Sequence, residues 1–130
     1  LASTLELLVA QRLVRKLCET CRYSEPTKLE DIEKHLPSAK QWFHGRTHLY
    51  HAKGCAACGG TGFKGRTGIF EFIHVTRPLQ ELIPKQPSSR EIWTVASKGG
   101  SRSLFEDGIE KVQNGVTTLE ELLRVATPSQ

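Results

Sequence analysis

Between residues 4 and 17, Leu7, Val9, Ala10, Leu13, Val14 and Leu17 gather on one half of a wheel turning about 100° per residue, opposite Gln11, Arg12, Arg15 and Lys16. That pattern predicts a helix across the segment 1–17, ending at Cys18. Leu5 and Leu8 fall on the polar half, so the helix start is apolar nearly all round and asks for cover on more than one face. Residues 22–28 read as a polar connection containing Pro26. Thr27 can cap a short helix from Leu29 to near Leu36, with Glu30 at the capping-box position and Pro37 and Ser38 to break it. From 41 to 53 the pattern is mixed. Trp42, Phe43, Leu49 and Tyr50 lie among His44, His48 and His51, with a strand expected near Thr47–His51. Residues 69–75 are rich in β-branched and aromatic types and mostly alternate, which predicts a strand. Phe70, Phe72 and His74 share one face of it, and Ile69, Glu71, Ile73 and Val75 the other.

The last third reads as helical. Thr76 and Pro78 open a short helix over Leu79, Leu82 and Ile83. Three S/T-x-x-E signals follow: Ser88 with Glu91, Ser103 with Glu106, and Thr117 with Glu120, each ahead of an amphipathic run. Gly99-Gly100 and Gly115 supply the stops. The expected class is α+β, with small strands followed by a bundle of short helices. The expected division is 1–17, 18–75, 76–126 and a frayed tail at 127–130.

Composition narrows the classes. A 130-residue chain with 38% hydrophobic content suits one soluble domain or a piece of a larger protein. No apolar run approaches the ~20 residues of a membrane span. Glu6 and Gln11 interrupt the N-terminus without a cleavage site, so a signal peptide is not expected and the cytoplasm is the simplest compartment. The chain begins with Leu1 and contains no methionine, which points to a fragment. Net charge is +4, but the basic residues are scattered apart from Arg12, Arg15 and Lys16 and from Lys64 and Arg66. A solvated basic surface is expected rather than a nucleic-acid partner.

The chemistry sits in four cysteines, paired as Cys18-Glu-Thr-Cys21 and Cys55-Ala-Ala-Cys58. Two such turns can place four thiolates tetrahedrally around one zinc ion at ~2.3 Å. Gly59, Gly60 and Gly62 suit a chain doubling back beneath a metal. The gap between the pairs exceeds the common ~15–20 residues, so the intervening stretch must hold structure of its own. Two disulfides fit poorly with a reduced compartment. Redox activity fits poorly with a pair that opens a Gly-rich turn instead of a helix. Four thiolates also close the shell, where a catalytic zinc keeps one position open. One structural zinc per chain is the expectation. No phosphate-binding G-x-x-x-x-G-K-[ST] occurs, His35, His44, His48, His51 and His74 read as surface or interface groups, and the serines cluster at helix caps. No catalytic residue is expected.

Three stretches carry a family resemblance: AQRLVRKLC at 10–18 with Cys21, GCAACGGTGFKGRTGIFE at 54–71, and SLFEDGIEKVQNGVTTLEELLRV at 103–125. Together they resemble the C-terminal portion of the bacterial ATPases that drive type II secretion and type IV pilus assembly. Ser101 departs from the apolar residue common there, and 23–51 matches no family pattern. The resemblance implies a fragment of a RecA-like ATPase whose Walker motifs, ATP and magnesium belong to a core upstream. It implies a hexamer at the cytoplasmic face of the inner membrane, working on pilin or pseudopilin with platform proteins as partners. It also implies a zinc-binding tetracysteine motif at Cys18, Cys21, Cys55 and Cys58. Gln11 and Arg12 match a segment beside the nucleotide-binding core, in reach of nucleotide or of a neighbouring subunit. The alternative is a free-standing zinc module that binds nucleic acid or client proteins.

Overall fold

Leu7–Leu17 forms a strand, β1, and not the helix its periodicity predicts. It runs antiparallel to β4, Phe63–His74, in a ladder from Leu7 opposite His74 to Arg15 opposite Arg66, with a bulge before Leu17 meets Phe63. Leu, Gln, Arg and Lys favour helix locally, but a long cross-strand partner overrides so weak a preference. The broad apolar half of the wheel was a poor discriminator, because Leu7, Leu8, Val9 and Leu13 are exposed while Val14 and Leu17 are buried. The structure is a computed structural model that describes residues 7–128. The first six residues of the expected helix and the last two of the tail lie outside the described residues.

A second antiparallel pair joins β2, Arg22–Thr27, to β3, Thr47–Ala52, from Arg22 opposite Ala52 to Thr27 opposite Thr47. The expected polar connection is therefore a strand. Pro26 is tolerated because β2 has a neighbour on one side only, and an edge strand can turn a missing N–H outward. Helix α1 spans Leu29–Glu33 and starts at Lys28 without a side-chain cap. Thr27 is occupied in β2, where its Oγ1 donates to the Glu25 carbonyl at 3.1 Å. The helix also ends earlier than expected.

The helical third follows as α2 (Arg77–Leu82), α3 (Ser89–Lys98), α4 (Leu104–Gln113) and α5 (Leu119–Val125). Ser88 and Ser103 make complete capping boxes with Glu91 and Glu106, as their spacing predicts. The third cap is displaced by one residue. Thr118, not Thr117, accepts from the Glu121 N–H at 3.0 Å, and the Thr117 hydroxyl donates to the Arg15 carbonyl at 2.8 Å. The α4–α5 packing is close: a Cβ on Gly108 would run into the Leu122 side chain. No helix among the described residues is long and apolar enough to cross a membrane.

One core crosses the expected divisions. Val14 and Ile69 come from β1 and β4, Phe105, Ile109 and Val112 from α4, and Leu119 and Leu122 from α5. Ile32 and Leu36 come from α1 and the turn after it, and Phe43 and Leu49 from the stretch whose pattern was mixed. Trp42 packs edge-on against Phe105 with ring centroids 5.3 Å apart.

Helix α4 and the loop before it also close the edge of β4. On β4, the Phe70 N–H donates to Asp107 Oδ2 at 2.8 Å, Phe72 bridges to Arg102, and the His74 N–H donates to Ser101 Oγ at 2.7 Å. Ser101 thus places a buried hydroxyl where an apolar side chain could accept nothing.

Candidate metal centre

The chain leaves β1 through Cys18 and enters β2 just after Cys21; it leaves β3 toward Cys55 and enters β4 beyond Cys58. Both cysteine pairs therefore stand where the ribbon passes from one two-stranded sheet to the other. Backbone bonds fix the crossing: the Cys18 N–H donates to Gly62 O at 2.9 Å, and the Arg22 N–H to Cys18 O at 3.0 Å. The Lys53 N–H reaches Cys21 O at 3.4 Å. The second pair wraps a single 3-10 turn, Ala56–Cys58, closed by Gly59 at φ 66°. Gly54 has φ 91°, and a Cβ there would lie 2.6 Å from the Gly60 carbonyl oxygen. Only glycine fits that approach.

All four Sγ atoms lie within 4.8 Å of one another. Cys18 to Cys55 and Cys55 to Cys58 are 3.8 Å, and Cys21 to Cys58 is 3.9 Å. A regular tetrahedron of thiolates ~2.3 Å from a central ion has edges of ~3.8 Å. The sulfurs are far beyond disulfide bonding, and all four cysteines are free. An all-sulfur tetrahedral donor set fits zinc and leaves no position for a substrate or a reactive water.

The surrounding groups favour charge on two of the sulfurs. Cys58 Sγ accepts the N–H of Cys55 and of Gly62, each at 3.2 Å. The Cys55 N–H is the main cause that lowers this thiol to about 6, against burial. Burial likewise opposes charge on Cys18, but the Cys21 and Thr20 N–H groups outweigh it and set the thiol below its ordinary value. Burial pushes Cys21 up to about 11. A divalent cation supplies the charge that lets such a set ionise together.

Other sequence candidates are placed differently. Gln11 and Arg12 are exposed on β1, opposite Phe70 and Ile69 and away from the cysteines. No histidine joins a metal-holding group among the described residues. His51 has a carboxylate partner distant in sequence: Glu25 Oε2 lies 3.4 Å from its Nε2 across the β2–β3 pair. Strand pairing supplied what sequence distance hid.

One polar cluster escaped the sequence altogether. Glu121, with its side chain 2% exposed, meets Arg15 at 3.0 Å and Arg124 at 2.6 Å. It also accepts the Arg15 backbone N–H at 2.9 Å, which closes the β1 edge next to the cysteine crossing. Two adjacent threonines and two adjacent glutamates made the cap ambiguous by one position. The buried glutamate was the one passed over.

A family model described as type II/IV secretion system protein matches residues 1–124. The chain is 40% identical over 127 residues to the Escherichia coli protein named protein transport protein HofB homolog, covering 96% of this chain and 25% of that one. It is 38% identical over 116 residues to the Thermus thermophilus type IV pilus assembly ATPase PilB, covering 89% of this chain and 13% of that one. With the Vibrio cholerae type II secretion system ATPase E it shares 36% identity over 129 residues, covering 99% and 25%. The chain thus spans a quarter or less of the length of these relatives.

Proposed function

The chain belongs to the type II/IV secretion system protein family, and on that premise we propose that it is the zinc-stiffened, non-catalytic part of a hexameric ATPase driving type II secretion or type IV pilus assembly. One observation carries the metal reading: four Sγ atoms stand within 4.8 Å of one another, with separations matching a thiolate tetrahedron. Cys18, Cys21, Cys55 and Cys58 would hold the ion, whose chemistry there is that of a closed tetrahedral cross-link. ATP and magnesium would act elsewhere in the full-length protein, at the cytoplasmic face of the inner membrane, with neighbouring subunits and platform proteins as partners.

The transmission is mechanical. Glu121 and Asp107 clamp α5 and α4 onto β1 and β4, so a displacement of β1 carries both helices with it. The cysteine crossing joins β1 and β4 to β2 and β3, and β3 shares the core with α4 through Leu49, as does Phe43 just before it. The unit therefore moves as one body, which suits a lever that turns hydrolysis into movement of pilin or pseudopilin. Gln11 and Arg12, exposed on β1, would meet nucleotide or a neighbouring subunit in the full-length protein. Arg12→Ala in the full-length enzyme is expected to lower ATPase activity, and unchanged turnover would remove Arg12 from that role.

The test of the metal reading is elemental mass spectrometry of the purified chain, repeated after a mercurial thiol reagent. One zinc per chain, released on thiol modification, is expected. A metal-free chain with four titratable thiols and an intact fold would overturn the reading.

A further inference from the structure

From Lys34 to Phe70 the sequence carries Lys34, Lys40, Arg46, Lys53, Lys64 and Arg66 and four histidines, with no aspartate or glutamate at all. The fold concentrates part of that run around a cleft of about 360 Å³ beside the end of α4. Trp42, Phe43 and Tyr50 line it together with His44, Arg46 and His48, and Gln113 of α4 completes the wall. Among the described residues no carboxylate lines the cleft. Among the described residues Arg46, His44 and His48 take part in no ion pair, whereas Arg15, Arg102 and Arg124 each hold a carboxylate.

One donor of the lining residues has no acceptor. Trp42 keeps its indole Nε1 buried with no hydrogen-bond partner among the described residues. A buried indole N–H normally finds one, so this donor marks a place where an acceptor is missing. The Arg46 guanidinium offers a planar fork suited to a carboxylate. The aromatic side chains offer apolar surface on which the methylenes of an acidic side chain can lie.

We propose that this cleft docks an acidic segment of a protein partner, with glutamate or aspartate side chains held by Arg46 and flanked by His44 and His48. This site is separate from the cysteines and does not depend on the metal reading. A bilayer fits less well. Among the described residues the exposed large hydrophobic side chains are Leu7, Leu8, Val9, Leu13, Tyr23 and Phe72, and none of them lines the cleft to insert into lipid.

The experiment titrates the chain into fluorescein-labelled hexaglutamate and follows anisotropy. Inorganic phosphate, phosphatidylglycerol vesicles and a short oligothymidylate serve as competitors. Saturable binding is expected, weakened about tenfold or more by Arg46→Ala, as for loss of a charge-paired anchor. Lys85→Ala, in the turn after α2, should leave it unchanged. Arg46 is exposed, so far-UV circular dichroism and the melting curve of the variant should match the parent. Equal binding by Arg46→Ala would overturn the proposal. So would full competition by phosphate, which would make the cleft a simple anion site. Tighter Arg46-dependent binding of vesicles or oligothymidylate would replace the peptide with a membrane or a nucleic acid.

Discussion

Glu121 satisfies a backbone donor of β1 and two guanidinium groups with one carboxylate, and it does so out of water. Burial opposes its charge, yet the hydrogen bonds from Arg124 and Arg15 hold the carboxyl at about 2 against an ordinary 4.5. A folded-state pKa below the unfolded one gives stability that is fully present above the unfolded value and is lost as pH falls toward the folded one. The window here is therefore from about pH 5 down to about pH 2. The shift corresponds to about 3 kcal/mol as an upper bound, since both arginines stand half in water and their pairing is screened. Glu121→Gln is expected to cost about 1–3 kcal/mol at pH 7 and to shrink the stability difference between pH 7 and pH 3, read from urea unfolding. Glu120→Gln alters an exposed neighbour and should stay within about 0.5 kcal/mol. Equal effects of the two would mean that the network contributes nothing. At this scale the cysteines and the Ser88 and Ser103 caps were legible, because local spacing defines them. Glu121 was not, because its partner lies 106 residues away in the chain.

At the scale of elements, β1 shows where periodicity fails. A strand buried on both faces or exposed along most of its length has no clean alternation, and this one is exposed from Leu7 to Leu13. The capping boxes of α3 and α4 and the alternation before β4's end were read correctly for the opposite reason: each signal sits within a few residues. The same exposure predicts behaviour. Near the cysteine crossing the outer edge of β1 is closed, with the Leu17 N–H on Val116 O at 2.8 Å and the Arg15 N–H on Glu121. Towards Leu7 that edge has no strand beside it among the described residues, and apolar Leu7, Leu8, Val9 and Leu13 flank it. An open apolar edge is a template for pairing with another chain. The isolated chain should therefore self-associate as its concentration rises, and the Val9→Lys/Leu13→Lys double variant should suppress this without lowering the melting temperature. Sedimentation velocity across a concentration series decides it. An unchanged distribution of species would show that the edge is not the sticky surface.

At the scale of the whole molecule, a metal held by the four cysteines would be added to a fold whose core already spans both sheets. Ile32, Leu36, Phe43 and Leu49 reach the same cluster as Val14, Ile69 and Phe105, so β2–β3 is anchored twice, once through apolar packing and once through the cysteines. The length of the gap between the cysteine pairs foretold that 22–54 holds structure. It could not foretell that this structure completes the core, because Ile32, Phe43 and Leu49 form no common period. Double anchoring limits what metal loss can do. Structural zinc sites show ~10–16 kcal/mol of apparent binding energy where folding waits on the ion. Here α4 and α5 keep their apolar cover without it, so removal should act locally. Hydrogen exchange after chelation is the direct measurement. The Cys18, Arg22, Lys53 and Gly60 amides, which donate to carbonyls of the crossing, should lose protection about tenfold or more. The Ile109 and Val112 amides inside α4 should hold until global unfolding. Uniform loss of protection would mean that the metal governs the whole fold, and the lever would then be stiff only when loaded. Local loss would make the crossing a hinge that the ion locks, leaving the clamp between the helices and β1 and β4 intact in either state.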